Sequence, residues 1–122
     1  MRKIFTFGSN LRGIHGAGAA LEARWKHGAQ IGVGEGLTGY AYAIPTKDRE
    51  LKPRTLDEIK ASVETFLEFA RDTPETIYQV TKIGCGRAGY TEADIAPMFE
   101  DAPDNCELPI GWRTWNATRN MP

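Results

Sequence analysis

The sequence predicts a single α/β domain with a mixed, largely parallel sheet. Short β-branched or aromatic segments alternate along the chain with helical patterns, as in proteins that cover such a sheet with helices. Two of the predicted strands, residues 3–7 and 77–83, each run into a glycine-rich loop that opens a helix. With 122 residues, the chain can bury the core of one domain. We expect one domain over residues 1–122, with a core at 3–100 and a tail at 101–122.

The first half of the chain predicts two strands and a helix. Residues 3–7 are dense in β-branched and aromatic side chains and predict the first strand. A glycine loop follows, and residues 17–26 predict a helix after it. Residues 31–39 contain four glycines and predict a loop or an irregular strand. Residues 40–44 predict another strand, which we expect Pro45 to end.

The most regular pattern in the chain is an amphipathic helix predicted at residues 55–71. Thr55 and Glu58 have the spacing of a capping box, and apolar residues recur at helical spacing after them. Thr91 and Asp94 repeat the capping-box spacing at the start of a shorter predicted helix. The long helix therefore packs against the core, and its polar face is turned to solvent.

The remaining elements of the second half are shorter. Residues 77–83 predict the strand that enters the second glycine loop, and residues 91–100 predict the short helix after that loop. In the tail, residues 106–108 predict a last strand. We expect Trp112 and Trp115 to cover the domain.

Composition and charge argue against several classes of protein. The net charge of -1 gives no electrostatic reason to expect a nucleic-acid or membrane partner. No apolar run approaches the length that spans a membrane, and the basic N-terminus lacks the apolar stretch of a signal peptide. Cys85 and Cys106 are too few cysteines for a disulfide framework. We expect a cytoplasmic protein that is a monomer or a homodimer.

The two glycine loops are candidate anion-binding sites. Glycine lets the backbone approach an anion closely, and the main-chain N–H groups at the start of a helix point towards it. Loops that follow neighbouring parallel strands could face each other across one crevice. The alternative is that the glycines serve only turns, or an oligomer interface in a small α/β subunit.

Other kinds of site have little support in the sequence. The two histidines and two cysteines lack the spacing of a metal site, and neither loop has a Walker lysine or the Rossmann fingerprint. We therefore expect no metal and no cofactor. Cys85 paired with His15 across the crevice is a candidate nucleophile, with plain packing of the cysteine as the alternative.

The ordered set of motifs resembles the macrodomain family, whose members bind ADP-ribose. The set comprises Ser9-Asn10 at a strand end, the first glycine loop, Pro45-Thr46-Lys47 before the long helix, and Gly84-Cys85-Gly86. Within the family, the chain is most similar to the branch of bacterial DNA-ADP-ribose-removing antitoxins and glutamate-ADP-ribose hydrolases. It also resembles small phage-encoded macrodomain-like proteins, which would place it in the cytoplasm of a bacterial host. The resemblance covers residues 3–100 and implies a three-layer α/β/α fold, smaller than usual, without the usual preceding strand and helix.

The resemblance also implies a role for each segment. Asn10 would contact the distal ribose, residues 13–18 would cover it, and residues 84–90 would hold the phosphates. Lys47 would act at C1″ of the distal ribose, as the lysine does in the antitoxin-like branch; a solvated loop lysine is the alternative. The implied ligand-binding residues are Ser9, Asn10, Gly13, His15, Gly16, Gly18, Thr46, Gly84, Cys85, Gly86, Arg87, Ala88, Gly89 and Tyr90.

The function implied by the resemblance is binding of ADP-ribose or a related nucleotide between the two glycine loops. Some relatives carry an acidic residue two positions after Gly-Cys-Gly, where this chain has Ala88. Two alternatives therefore stay open. One is an ADP-ribosyl glycohydrolase that acts on ADP-ribosylated DNA or protein, with Lys47 as the catalytic residue. The other is a non-catalytic module that sequesters a nucleotide, for example in phage counter-defence.

Three of the implied ligand residues also have ordinary structural explanations. Asn10 could cap a turn, which asparagine does often. His15 could be a loop residue without a chemical role. Tyr90 could pack against the short helix instead of stacking on a ribose or a base.

Overall fold

The computed structural model describes residues 3–119, which form one five-stranded sheet with helices on both faces. The strands are β1 (Lys3–Asn10), β2 (Gly36–Thr38), β3 (Ala41–Lys47), β4 (Ile77–Val80) and β5 (Cys106–Glu107). The helices are α1 (Gly18–His27), α2 (Leu56–Arg71), α3 (Glu92–Ile95) and α4 (Trp112–Arg119), with a 3-10 turn at Ala96–Phe99.

The sheet has the order β2-β3-β1-β4-β5. β1 runs parallel to β3 and to β4, and β4 runs parallel to β5, whereas β2 pairs antiparallel with β3. The predicted mixed, largely parallel sheet is therefore confirmed. Because β1, β3 and β4 are parallel, their carboxyl ends lie at the same edge of the sheet.

The core has two layers because successive side chains of a strand point to opposite faces of the sheet. On one face, strand residues share a buried cluster with α2: Ile4, Tyr42, Ile44, Tyr78 and Val80. On the other face, a smaller buried cluster joins strand residues to Ala23 of α1: Phe5, Phe7, Ala41 and Ala43. The three-layer α/β/α arrangement follows from this alternation.

The long helix α2 begins where its capping box predicts. The N–H of Glu58 donates to Thr55 Oγ1 at 3.2 Å, and the N–H of Thr55 donates to Glu58 Oε1 at 2.9 Å. Two main-chain donors at the helix start are thereby satisfied. The buried face of α2 holds Ile59, Ser62, Val63, Phe66, Leu67 and Ala70. The prediction of an amphipathic core helix is confirmed.

Several predicted ends of elements are wrong. β1 continues to Asn10 instead of ending at residue 7, and β4 ends at Val80 instead of residue 83. β3 continues through Pro45 to Lys47, because β2 pairs only with Ala41–Ala43 and a proline beyond that point removes no ladder hydrogen bond on this side. The short helix after the second glycine loop stops at Ile95 and continues as a 3-10 turn that contains Pro97. A proline inside an α-helix lacks the N–H that the helical ladder needs.

The tail adds a fifth strand and a helix. The predicted strand is present at Cys106–Glu107, whereas α4 is not evident in the sequence pattern. Trp112 is 2% exposed and packs on Phe99, but Trp115 is 39% exposed. Within residues 3–119, no helix is long and apolar enough to cross a bilayer.

Candidate functional site

A cleft of about 720 Å³ opens at the shared carboxyl edge of β1, β3 and β4. Its volume is within the range of small-molecule sites. The ends of β1 and β3 meet two glycine-containing segments there, residues 16–20 and 81–88. The structure brings together most of the sequence-predicted site residues in this cleft: Ser9, Asn10, Gly16, Gly18, Thr46, Lys47, Gly84, Cys85, Gly86, Arg87 and Ala88.

Two predicted glycines lie outside the lining of the cleft and serve the backbone. Gly13 has φ 72°, and a Cβ atom added there would lie 2.4 Å from the carbonyl carbon of Gly32. Only glycine permits this approach of the first loop to the chain at Gly32. Gly89 has φ 85°, and its N–H donates to the carbonyl of Gly86 at 3.0 Å in a turn.

His15, in the first glycine loop, also lies outside the lining of the cleft, and its side chain is packed against Phe7 of β1. It is 1% exposed, its Nε2 lies 3.0 Å from the carbonyl oxygen of Gln30, and its ring meets Phe7 edge-on. Its Nδ1 is buried without a hydrogen-bond partner. Burial lowers the pKa of His15, opposed in part by the main chain of Gln30 and Val33. The neutral ring is a packed core residue.

The candidate pair of Cys85 and His15 is not assembled. The Nε2 of His15 contacts Gln30, its Nδ1 has no hydrogen-bond partner, and His15 does not line the cleft that Cys85 lines. Burial, together with the nearby Glu92 carboxylate, raises the pKa of Cys85, which favours the thiol over the nucleophilic thiolate. Cys85 packs against the larger core cluster instead.

Tyr90 ties the second glycine loop to β3 and does not line the cleft. Its hydroxyl donates to the carbonyl of Arg54, whose own N–H donates to the carbonyl of Thr46 at 2.9 Å. The N–H of Tyr90 donates to the carbonyl of Gly84 at 2.9 Å and closes the loop. Tyr90 therefore positions the loop relative to the strand that carries Thr46 and Lys47.

Asn10 lines the cleft, but its side-chain amide serves the first glycine loop. Its Nδ2 donates to the carbonyl of Ile14 at 2.8 Å, and its Oδ1 accepts from the N–H of Ile14 at 3.1 Å. These two bonds close residues 10–14 into a turn. Asn10 has the turn-capping role that the sequence left as an alternative, at a position inside the cleft.

The charged side chains among the described lining residues are all cationic: Lys47, Lys82 and Arg87. Lys82 Nζ lies 3.4 Å from Glu92 Oε2, and the other carboxylate oxygen of Glu92 accepts from the indole N–H of Trp112 at 2.8 Å. The Trp112 hydrogen bond and the Lys82 charge lower the pKa of Glu92. The cleft thus combines positive side chains with glycine-rich backbone, a combination that suits an anionic ligand.

Lys47 ends β3 and lies opposite Asn10 in the parallel pairing of β3 with β1. The next residue, Asp48, uses Oδ1 to accept from the N–H groups of Glu50 at 2.8 Å and Lys52 at 3.0 Å. Within residues 3–119, the Lys47 ammonium forms no salt bridge. Its charge is therefore available to a ligand in the cleft.

Ile14 and Ala17 line the cleft within the predicted range 13–18, although neither was named as a ligand residue. The lining residues outside the predicted segments are Gly8, Ala19, Ala20, Leu51, Thr81, Lys82 and Ile83. Thr81 and Lys82 were assigned to the strand predicted at residues 77–83. Because β4 ends at Val80, both residues belong instead to the loop that lines the cleft. Leu51 gave no signal, because one apolar residue in a charged turn has no recognisable pattern.

Comparisons with known proteins identify the fold. No protein-family model and no curated protein sequence matches the chain. Similar solved structures include the macrodomain of Mycobacterium tuberculosis DarG, with 20% identity, a TM-score of 0.62, and coverage of 82% of this chain and 83% of that one. A protein of unknown function from Bacteroides thetaiotaomicron has 17% identity, a TM-score of 0.58, and coverage of 83% and 80%. The chain therefore has a macrodomain-like fold, as its ordered motifs predicted.

Proposed function

We propose that the cleft binds ADP-ribose or a closely related nucleotide. The observation that carries this proposal is a cleft at the carboxyl edge of parallel strands, with glycine loops in its walls and only cationic charges among its described lining residues. A nucleotide diphosphate has the complementary charge, and glycine lets main-chain N–H groups approach phosphate oxygens. The macrodomain-like fold and the resemblance of the motifs support ADP-ribose as the nucleotide.

In this proposal, residues 84–88 hold the diphosphate, and Asn10 and Lys47 lie beside the distal ribose. Gly86 is suited to a test because its backbone is not left-handed and a Cβ added there would meet no atom within 4 Å. The fold can therefore accept a side chain at Gly86. A bulky side chain in this wall would occupy the space that a diphosphate needs.

We expect Gly86→Val to weaken ADP-ribose binding at least about tenfold, a loss of about 1.4 kcal/mol, since the branched side chain takes the place of the phosphates. Calorimetric titration with ADP-ribose measures this change, and thermal unfolding of the same samples tests that the fold is retained. Thr65→Val on the exposed side of α2 is the matched control, with valine introduced away from the cleft.

Two results would contradict this proposal in different ways. Equal affinity of wild type and Gly86→Val for ADP-ribose would remove residues 84–88 from the site. No binding of ADP-ribose by the wild type would contradict the choice of ligand. A thermal-shift screen of cyclic and linear nucleotides would then distinguish another nucleotide from glycine loops that serve only the fold.

Hydrolysis of an ADP-ribosyl bond on DNA or protein is a second candidate function, favoured by the position of Lys47. Lys47 lines the cleft and forms no salt bridge within residues 3–119. A lysine amine can attack an anomeric carbon when it is deprotonated. Hydrolysis also needs a group that activates water, and the described lining residues include no carboxylate, in keeping with Ala88. Sequestration of a nucleotide, as in phage counter-defence, is the non-catalytic alternative.

Lys47→Ala separates these two functions. If Lys47 is catalytic, release of ADP-ribose from ADP-ribosylated DNA or protein should fall by about 100-fold or more in this variant, the range for loss of a positioned catalytic group. ADP-ribose affinity should change much less, which calorimetry measures in parallel. Lys60→Ala on the exposed side of α2 is the control. If wild type binds ADP-ribose but releases none from either substrate, the sequestering function is favoured.

A further inference from the structure

The turn after β3 contains a leucine in a backbone conformation that normally belongs to glycine. Leu51 has φ 64°, and it is the non-glycine residue with positive φ among residues 3–119. The N–H of Leu51 donates to the carbonyl of Asp48 at 3.0 Å, and the N–H of Asp48 donates to the carbonyl of Lys52 at 2.8 Å. The last residue of such a tight turn takes the left-handed conformation, and glycine or asparagine is usual there.

Packing within the protein does not account for a leucine at this position. The Cβ atom makes left-handed backbone unfavourable, so the leucine costs stability relative to glycine or asparagine. Leu51 is 41% exposed and belongs to neither of the two buried clusters. Its side chain instead lines the cleft, in the turn that directly follows Lys47. The residue that carries the backbone strain is therefore also the residue that brings an apolar group to the cleft.

A second exposed apolar residue lines the same cleft. Ile14 is 40% exposed, lines the cleft, and is bonded through its main chain to the Asn10 amide. Asn10 and Lys47 are partners in the pairing of β1 with β3. Ile14 and Leu51 therefore follow the adjacent ends of β1 and β3. The charged groups of the cleft favour phosphate, whereas these two side chains offer contact to the C–H face of a sugar.

We propose that Leu51 is a specificity-determining residue, which makes an apolar contact with the distal ribose of the bound nucleotide beside Lys47. The inference rests on the proposed nucleotide-binding function and adds a contact that selects for the second sugar. ADP has the same diphosphate as ADP-ribose but lacks the distal ribose. Leu51 should therefore contribute to the affinity for ADP-ribose and not to the affinity for ADP.

Three substitutions separate the contact from the backbone strain. Leu51→Asn removes the apolar contact and relieves the strain, because asparagine tolerates the left-handed region. Leu51→Ala removes the contact but retains a Cβ in that conformation. Leu51→Met retains both an apolar side chain and the strain, and is the matched control. We expect the Kd for ADP-ribose to rise by about threefold to tenfold in the Asn and Ala variants, as for other lost apolar contacts, and to rise less in the Met variant, whose apolar side chain preserves part of the contact.

Thermal unfolding of the same proteins distinguishes a binding role of Leu51 from a purely structural one, because the two roles predict different relations between stability and affinity. The unfolding midpoint of Leu51→Asn should equal or exceed that of wild type while its ADP-ribose affinity falls. The midpoint of Leu51→Ala should be lower than that of Leu51→Asn. Unchanged ADP-ribose affinity in both variants would overturn the proposal.

Titration with ADP tests the position of the contact. An equal loss of affinity for ADP and ADP-ribose in Leu51→Asn would overturn the assignment to the distal ribose. No ADP-ribose binding by the wild type would instead count against the proposed function, and the unfolding measurements would still test whether Leu51 is strained.

Discussion

His15, in the first glycine loop, is 1% exposed, and its two ring nitrogens have unequal surroundings. In the neutral ring, an N–H at Nε2 can donate to the carbonyl of Gln30, while Nδ1 is buried without a partner. Protonation would place a positive charge in a ring that is removed from water. This arrangement gives the physical reason why burial lowers the pKa of His15.

The lowered pKa predicts a pH dependence of stability. Because the folded-state pKa of His15 is below its ordinary value of about 6.5, the unfolded chain binds the proton more readily. The contribution of His15 to stability is therefore complete above that value and is lost as the pH falls below it, until the folded-state pKa is reached. Between pH 7.5 and 5.5, we expect the free energy of unfolding to decrease by up to about 1.4 kcal/mol from this residue, the limit for a histidine that binds its proton only in the unfolded chain.

Urea unfolding at the two pH values measures this decrease. His15→Gln should reduce the dependence on pH, because glutamine can still donate to the carbonyl of Gln30 but does not titrate. His27→Gln removes the other histidine of the chain, which lies on α1, and should retain the wild-type decrease. An undiminished decrease in His15→Gln would show that other groups cause the pH dependence.

At the scale of elements, the sequence predicted those features that local chemistry decides. The capping boxes of α2 and α3 and the buried face of α2 depend on residues three to four positions apart, and the structure has them as predicted. The extension of β3 through Pro45 was not predictable, because it depends on pairing with β1, a strand distant in sequence that holds β3 as far as Lys47, whereas β2 pairs only with Ala41–Ala43. α4 was missed because its sequence, WRTWNATR, is polar on average and contains Thr and Asn, which are poor helix formers.

The cleft shows the same division between local and long-range information. Parallel strands bring their carboxyl ends together, so loops recognised one at a time in the sequence meet at one edge of the sheet. The sequence did not show which loop residues have side chains outside the lining of the cleft. His15 and Tyr90 are directed by their hydrogen bonds to Gln30 and Arg54, which lie 15 and 36 positions away. Such partners are set by tertiary packing rather than by a motif.

At the scale of the whole molecule, a net charge of -1 coexists with a cleft whose charged lining residues are cationic. The charges are therefore distributed unevenly, and the local field at the cleft differs from what the total suggests. Two lysine–glutamate pairs allow a test of this distribution. Lys82 and Glu92 lie 3.4 Å apart beside the cleft, and Lys3 and Glu107 lie 3.2 Å apart where β1 begins, at the opposite end of that strand from the cleft.

These two pairs are matched in exposure. The lysine and glutamate side chains are 56% and 48% exposed in the first pair and 56% and 47% exposed in the second. Exposed pairs of this kind contribute little to stability. Lys82→Ala and Lys3→Ala should therefore have similar and small effects on thermal unfolding. They differ in their distance from the cleft, and so in the effect that we expect on an anionic ligand.

We expect Lys82→Ala to weaken ADP-ribose binding by about threefold to tenfold at low salt, since one cation near the phosphates is lost. The affinity of the variant should also depend less on salt than that of wild type, because fewer charges contribute to the attraction. Lys3→Ala should leave both quantities unchanged. Calorimetric titration with ADP-ribose at low and physiological ionic strength measures both effects. Equal behaviour of the two variants would mean that Lys82 does not hold the ligand, and the attraction would then have to rest on Lys47, Arg87 and the glycine-loop backbone.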